Sequence, residues 1–195
     1  DIILGLLEAQ KGTLEVDGKV INKNNCRIWQ NSIGYVPQQI YLADDTIQRN
    51  IAFGVEDKDI IQKDVETASK IANIHNFIIN DLPEKYQSTV GERGIRLSGG
   101  QRQRIGIARA LYHKAEVIVF DEATSSLDGV AEKMIMDAIH DFSGKKTIIL
   151  IAHRLKTVQK CDKIFFINNG KVADQGTYQE LLENNEHFKK MAMHA

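Results

Sequence analysis

The stretch IGIARALYHKAEVIVFDE, Ile105–Glu122, combines two patterns that together indicate the fold. Its first half has apolar residues at helical spacing, and its second half is an unbroken apolar run that ends in Asp121 and Glu122. The alternation recurs downstream, where the helical pattern of residues 130–142 precedes the apolar run of residues 146–153. Continuous apolar strands that alternate with helices are typical of a parallel sheet covered on both faces. The sequence therefore predicts an α/β fold.

The residues before Ile105 predict a small antiparallel β part, one more strand and a helical lobe. TLEVDGKVI (13–21) alternates apolar and polar residues around Asp17-Gly18, which is a strong hairpin signal. SIGYVPQ (32–38) predicts a strand that Pro37 ends. Helical spacing then recurs at 46–54, 58–73 and 74–81, which predicts a helical lobe inserted into the sheet domain.

The two ends of the sequence complete the expected organisation. DIILGLL (1–7) predicts a buried helix that begins without a cap, so we expect the chain to be cut from a longer protein. DKIFFINNGKVADQG (162–176) predicts a hairpin around Asn169-Gly170, and TYQELLEN (177–184) predicts a last short helix.

Four polar side chains lie at or just beyond the ends of predicted strands: Gln38, Asp121, Glu122 and His153. Ligands of open α/β sheets bind at this edge, beyond the carboxyl ends of the strands. An apolar strand that ends in aspartate is the Walker B arrangement, in which Asp121 holds Mg²⁺. Glu122 follows as a candidate general base that polarises water. On its own, Asp-Glu is equally compatible with a simple strand or helix cap.

A second element of the same chemistry is LSGGQ, Leu97–Gln101. Ser98 can cap the helix that follows, while Gly99 and Gly100 let the backbone approach phosphate oxygens. The helix N-terminus favours the same negative charge. A lone Ser-Gly-Gly is usually an ordinary turn, so the motif gains weight only beside the strand-end residues. The arginines at 102, 104 and 109 lie inside the helix and are expected to be solvated or structural.

Composition and charge exclude several classes of protein. The formal net charge is -1, which gives no sign of a nucleic-acid binder. The two cysteines, Cys26 and Cys161, lie far apart and form no metal-binding pattern, which fits a reducing cytosol. The longest apolar runs fall far short of the roughly 18–20 residues that a membrane-spanning helix needs.

The ordered set of motifs resembles the nucleotide-binding domain of an ABC transporter. It comprises VPQ, GERG, LSGGQ, VIVFDE, SSLD and the AH that contains His153. The resemblance covers essentially the whole chain and implies a P-loop NTPase-like ABC ATPase fold: a mostly parallel sheet, an inserted helical subdomain at about 39–104 and a small antiparallel part. VGERG (90–94) is similar to exporters whose membrane and nucleotide-binding domains share one chain. YVPQQIYLADDTIQRNIAFG (35–54) looks similar to flippases of lipids or lipid-linked oligosaccharides.

The resemblance also implies roles for individual residues. Gln38 matches the glutamine that touches Mg²⁺ or the attacking water. Asp121 matches the Walker B aspartate, Glu122 the catalytic glutamate, and His153 the histidine that contacts the γ-phosphate of ATP.

The remaining matches concern the nucleotide of the opposite protomer. Ser98, Gly99, Gly100 and Gln101 match the signature that binds ATP held by a second nucleotide-binding domain. Asp128 matches a loop that crosses the dimer interface. The implied cofactors are ATP and Mg²⁺, and the implied partners are that second domain, in a homo- or heterodimer, and a transmembrane domain, at the cytoplasmic face of a membrane.

One family motif has no counterpart among the 195 residues. The phosphate loop GxxGxGK[ST] is absent, since each Gly-Lys pair is followed by Val or Lys rather than Ser or Thr. In the family this loop lies just ahead of a helix similar to DIILGLL. We therefore expect a single ABC ATPase domain over 1–195 that lacks its N-terminal strands and phosphate loop, and that is inactive alone. The alternatives are a soluble ABC ATPase of translation or DNA repair, and an inactive fragment that acts only as an interaction module.

Overall fold

The computed structural model describes residues 1–123, 127–140 and 145–193. The chain divides into two compact units, Asp1–Ile149 and Leu150–Ala195. The first contains both elements that carry the Walker B and LSGGQ motifs, and the second contains the C-terminal hairpin and helices.

The first unit opens with the expected hairpin. Strands β1 (Leu14–Val16) and β2 (Lys19–Ile21) pair antiparallel. The two residues between them have positive φ angles, 49° at Asp17 and 74° at Gly18. A two-residue turn with both φ angles positive matches the twist of the flanking strands, and Asp-Gly is a preferred sequence for it. The hairpin prediction is confirmed.

The central sheet has the strand order β3-β4-β5, formed by Ile33–Val36, Val117–Asp121 and Thr147–Ile151. β3 and β4 are parallel, with Ile33 opposite Val117 and Val36 opposite Phe120. All four apolar residues of β4 are buried, which explains the unbroken apolar run in the sequence. Helix α1 (Cys26–Asn31), which the sequence analysis missed, packs Trp29 against Val117 and Val119.

Three helices form the predicted helical lobe: α2 (Ile47–Ile51), α3 (Gln62–Ile71) and α4 (His75–Asp81). Thr46 caps α2 by accepting a hydrogen bond from the Arg49 backbone N–H. Short 3₁₀ turns lie at Asp57–Asp59, Lys85–Gln87 and Glu92–Gly94. The long helix α5 (Gly99–Tyr112) follows these helices in the chain. Isoleucines of α2, α4 and α5 are buried in the core: Ile47, Ile51, Ile78, Ile105 and Ile107.

The expectation of a buried helix over residues 1–7 is wrong. These residues form turns, and Leu6 and Leu7 are 62% and 59% exposed. Gly5 has a left-handed φ of 66°, which interrupts a right-handed helix. Side chains of α1 also donate hydrogen bonds to backbone carbonyls of this stretch. The Trp29 indole N–H donates to the Ile3 carbonyl over 2.7 Å, and the Cys26 thiol donates to the Gly5 carbonyl over 3.2 Å.

Helix α6 (Gly129–His140) follows β4. Its predicted range, 130–142, extends into residues 141 and 142, which lie outside the described residues. The second unit contains α7 (Leu155–Val158), the antiparallel strands β6 (Ile164–Asn168) and β7 (Lys171–Gly176), and helices α8 (Tyr178–Asn184) and α9 (Glu186–Met193). Leu155, Val158, Leu181 and Phe188 form its core.

Candidate functional site

Two side chains from neighbouring strands meet at the carboxyl edge of the sheet. Val36, the last residue of β3, pairs with Phe120, and β4 ends one residue later, so the carboxyl ends of the two strands are adjacent. The Gln38 side-chain amide donates from Nε2 to Glu122 Oε2 over 2.8 Å. The structure thus brings together two predicted site residues that lie 84 positions apart in the sequence.

Asp121, the last residue of β4, has a partner that the sequence analysis missed. The Tyr35 hydroxyl donates to Asp121 Oδ2 over 3.1 Å. Burial, and then the hydrogen bond and charge of Asp121, raise the pKa of Tyr35 above its ordinary value. The phenol therefore stays protonated and orients the carboxylate. Strand alternation is the signal that could have found it, because Tyr35 lies opposite Val119 and thus on the same face as Asp121.

Glu122 occupies a strained backbone conformation at the sheet edge. Its φ angle is 48°, in the left-handed region that costs a non-glycine residue roughly 1–2 kcal/mol. Such strain tends to be retained at functional sites, where the surrounding structure fixes it. Here the turn directly follows β4 and holds the carboxylate within hydrogen-bonding distance of Gln38.

The LSGGQ motif forms the start of α5. Ser98 Oγ accepts from the Gln101 backbone N–H over 3.2 Å, and Gln101 Oε1 accepts from the Ser98 N–H over 2.8 Å. This reciprocal pair is a capping box. Gly99 and Gly100 form the first turn of the 14-residue helix. The arrangement presents small residues at the positive end of a helix dipole, which favours an anion.

The three arginines of α5 are held by the protein itself. Each donates to a backbone carbonyl: Arg102 to Leu97 over 2.7 Å, Arg104 to Asn73 over 3.1 Å, and Arg109 to Asn50 over 2.8 Å. Arg109 also lies over the Phe53 ring, 4.7 Å from its centroid. The sequence predicts that these arginines are solvated or structural, and their hydrogen bonds to backbone carbonyls support the structural alternative.

Asp128 caps helix α6. Its Oδ1 accepts from the backbone N–H groups of Ala131 (2.9 Å) and Val130 (3.1 Å). The Ala131 N–H is the main cause that lowers the pKa of the Asp128 carboxyl, and the positive charge of Arg104 contributes in the same direction. The carboxylate itself is exposed at the helix N-terminus.

His153 belongs to the second unit, two residues beyond the end of β5 at Ile151. Its position just after a strand agrees with the sequence pattern. Its contact with a γ-phosphate stays a prediction.

The donor set at the sheet edge fits Mg²⁺. This ion takes one or two carboxylates and keeps several waters and phosphate oxygens as ligands. Asp121 has a carboxylate at this edge, and the Gln38 amide uses its nitrogen for Glu122, so its oxygen has the chemistry of a magnesium ligand. Across the described residues, no group of three or more His, Cys, Asp and Glu side chains forms a site that would hold a metal by protein ligands alone.

The geometry defines a class of protein. The structure combines an α/β sheet that has a Gln–Glu pair at its carboxyl edge with an inserted helical lobe and a serine-capped helix that begins with two glycines. This is the fold of ABC-type nucleotide-binding domains. The chain belongs to the ABC transporter family, whose model matches residues 1–125.

Similar proteins of this family are exporters. The chain is 42% identical over 182 residues to an ATP-dependent lipid A-core flippase of Saccharophagus degradans, which covers 93% of the chain and 30% of the flippase. It is 44% identical over 186 residues to ABC transporter B family member 1 of Arabidopsis thaliana, which covers 94% of the chain and 14% of that transporter. The chain therefore spans less than a third of either relative.

A solved structure agrees with these relatives. A bacterial Atm1-family ABC exporter with ATP bound matches 99% of the chain and 34% of its own length, with a TM-score of 0.93 and 35% sequence identity. These matches favour the exporter interpretation over a soluble ABC ATPase of translation or DNA repair. None of the helices in the described part of the chain is long and apolar enough to cross a membrane.

Proposed function

We propose that the chain is part of the nucleotide-binding domain of an ABC exporter subunit, where it couples ATP binding and hydrolysis to the transport or flipping of a membrane cargo. The observation that carries the proposal is the 2.8 Å hydrogen bond between Gln38 and Glu122 at the carboxyl edge of the sheet. It supports the proposal because ligands of open α/β sheets bind beyond the carboxyl ends of the strands, where this amide and carboxylate meet.

The site residues have distinct roles in this proposal. Glu122 accepts a proton from the attacking water as general base. Gln38 orients Glu122 through its amide nitrogen, and His153 donates a hydrogen bond to the γ-phosphate. Asp121 and Gln38 would hold Mg²⁺, and the ion would supply positive charge that stabilises the phosphate oxygens. Tyr35 keeps Asp121 oriented by hydrogen bonding to its Oδ2.

The start of α5 acts on the nucleotide of a second nucleotide-binding domain. Within the signature Ser98, Gly99, Gly100 and Gln101, the two glycines present backbone N–H groups and Ser98 presents a hydroxyl at a helix N-terminus, which suits a phosphate. The N–H groups of Ser98 and Gln101 are used by the capping box. Asp128, exposed at the start of α6, faces the partner in a head-to-tail dimer. A transmembrane domain is the other partner, and the chain works at the cytoplasmic face of the membrane.

The isolated 195-residue chain should bind ATP poorly. Its sequence contains no GK[ST] motif, so the row of N–H donors and the lysine that such a loop gives to the β- and γ-phosphates are lacking. Hydrogen bonds to charged groups contribute about 1.5–3 kcal/mol each. The absence of several leaves little affinity for the nucleotide.

The experiment has two parts. First, the coding sequence immediately upstream of Asp1 is read, with the expectation of a GxxGxGK[ST] loop preceded by about six spanning segments. Second, ATP turnover of the encoded exporter is compared with that of its Glu122→Gln variant, which should be slower by about 100-fold or more. Glu116→Gln is the matched control, because the Glu116 side chain is exposed at the other end of β4.

The outcomes separate cleanly. Retention of more than about a tenth of the turnover in Glu122→Gln contradicts the role of that carboxylate. ATP turnover by the purified 195-residue chain, abolished by Glu122→Gln, contradicts the expected inactivity of the chain alone.

A further inference from the structure

The segment that follows Gln38, residues 39–45, rests on helix α5 at a notch created by a glycine. We call residues 39–45 the connecting segment. A Cβ atom on Gly106 would lie 2.3 Å from Ile40 Cδ1, 2.8 Å from Cγ1 and 3.1 Å from Cγ2. Ordinary contacts between carbon atoms lie at about 3.5–4.0 Å. The Ile40 side chain therefore occupies the space that any other residue at 106 would fill.

Rotation of the Ile40 side chain does not relieve this conflict. A turn about χ2 moves Cδ1 alone. A turn about χ1 exchanges Cγ1, Cγ2 and one hydrogen among three staggered positions, so a carbon atom remains in at least one of the two close positions. A methyl group at 106 would therefore push the backbone at Ile40, which is two residues from Gln38.

Further along, the connecting segment is fixed by a buried polar side chain. Asn50, fully buried on α2, accepts from the Ala43 N–H over 2.9 Å and donates back to the Ala43 carbonyl over 3.0 Å. Arg109 of α5 in turn donates to the Asn50 carbonyl over 2.8 Å. Leu42, also fully buried, would lie 2.9 Å from a Cβ on Gly94, just ahead of α5. Both halves of the connecting segment are thus anchored on α5 or on residues bound to it.

We propose that Gly106 is a positioning residue for Gln38: by seating Ile40 on α5, it sets the distance between the Gln38 amide and the Glu122 carboxylate. Because Ser98 caps α5, the helix that presents LSGGQ is the same rigid body that positions Gln38. The role of this distance in catalysis rests on the proposed function. The effect of Gly106 on the Gln38–Glu122 hydrogen bond can be tested without nucleotide.

The test follows the Gln38 side-chain amide by ¹⁵N–¹H NMR in the labelled 195-residue chain. Glu122→Ala provides the reference position of the signal when the 2.8 Å bond is lost. Gly106→Ala, which fills the notch, and Ile40→Ala, which empties it, should each move the Gln38 signal at least half of the way toward that reference. Backbone signals of β1 and β2 report that the protein remains folded.

Two control variants match the substitutions. Gly129→Ala adds a methyl group where, among the described residues outside its own helix turn, no atom lies within 4 Å. Ile61→Ala truncates an isoleucine that is 56% exposed. Both should leave the Gln38 signal unmoved. If either Gly106→Ala or Ile40→Ala folds and keeps the wild-type Gln38 signal, the inference is overturned. Should Gly106→Ala not fold, Ile40→Ala decides.

The two proposals fail separately. An unmoved Gln38 signal together with loss of exporter turnover in Glu122→Gln removes the positioning role alone. A moved signal together with undiminished turnover in Glu122→Gln removes the proposed function and leaves the structural linkage standing.

Discussion

Replacing Asn50 by alanine should strongly destabilise the first unit. Its side chain makes three short hydrogen bonds within the fold: it accepts from the Ala43 N–H at 2.9 Å, and it donates at 3.0 Å to the carbonyls of both Ala43 and Thr46. It is fully buried, so water cannot replace these bonds. At roughly 1 kcal/mol for each bond, with about 1 kcal/mol more for the unpaired Ala43 N–H, we expect a loss of about 3–4 kcal/mol.

The assay is urea denaturation followed by the fluorescence of Trp29. It is the sole tryptophan of the chain, and it is 8% exposed in the core of the same unit. Domains are typically stable by about 5–15 kcal/mol, so a folded baseline should persist in the variant. Asn80→Ala is the control, because Asn80 is exposed on α4 and should change the free energy of unfolding by no more than about 0.5 kcal/mol.

A loss below about 1 kcal/mol in Asn50→Ala would refute the reasoning. It would mean that the carbonyl and N–H groups of the connecting segment find other partners when the amide is removed. A change in the slope of the urea dependence rather than its midpoint would show an effect on compactness and not on these bonds.

Three further predictions concern single polar groups. Gln103→Leu should raise the free energy of unfolding by about 1–2 kcal/mol in the same urea assay, because Gln103 Nε2 is buried and, within the described part of the chain, has no hydrogen-bond partner. Asp128→Asn should flatten the stability-versus-pH curve below pH 4: the lowered pKa of Asp128 stabilises the fold above the ordinary value of 3.8, and this contribution is lost as pH falls through the folded pKa. Asp121→Asn should lower the pKa of Tyr35 toward 10.0, as measured by ¹³C NMR of the ring.

Each of these has its own contrary result. An unchanged or lower stability of Gln103→Leu would mean that the amide is paired in solution. If the stability-versus-pH curve of Asp128→Asn below pH 4 matched that of the wild type, carboxyl groups other than Asp128 would cause the loss of stability in acid. An unmoved Tyr35 titration, with Asp128→Asn as the matched Asp-to-Asn control, would leave burial as the whole cause of its raised pKa.

Local patterns in the sequence sufficed for most of the elements. Asp17-Gly18 predicts its hairpin because a two-residue turn imposes its own backbone angles. The apolar run of β4 predicts a buried strand because all of its side chains pack inside. Both signals lie within a few residues, so no knowledge of distant contacts is needed.

Residues 1–7 show where such patterns fail. Their apolar spacing is helical, yet the local hydrogen bonds are turns, and side chains of α1 more than 20 residues away take the carbonyls. Asn50 shows the converse. It interrupts an apolar helix pattern without any local sign that it is buried, because its partners are chosen by the tertiary fold.

The sequence predicts Gln38 and Glu122 at one edge of the sheet, because the carboxyl ends of parallel strands lie together. The sequence pattern does not predict which side chain forms a hydrogen bond with each of these polar groups. That Asp121 pairs with Tyr35 while Glu122 pairs with Gln38 depends on register and on the left-handed turn at Glu122. The roles assigned to these residues in hydrolysis stay predictions.

In the capping box, the Ser98 hydroxyl uses only part of its hydrogen-bonding capacity. The Ser98 oxygen accepts from its own helix, so its hydroxyl proton remains available to an incoming oxygen anion. The Ser98 hydroxyl thus stabilises the start of α5 with a lone pair and, in the proposed role, donates its proton to a phosphate. Aspartate caps helices about as well as serine but brings a negative charge and no proton. A Ser98→Asp chain should therefore keep helix α5 while repelling a partner's phosphate. This substitution would separate the capping role of residue 98 from its proposed role in phosphate binding.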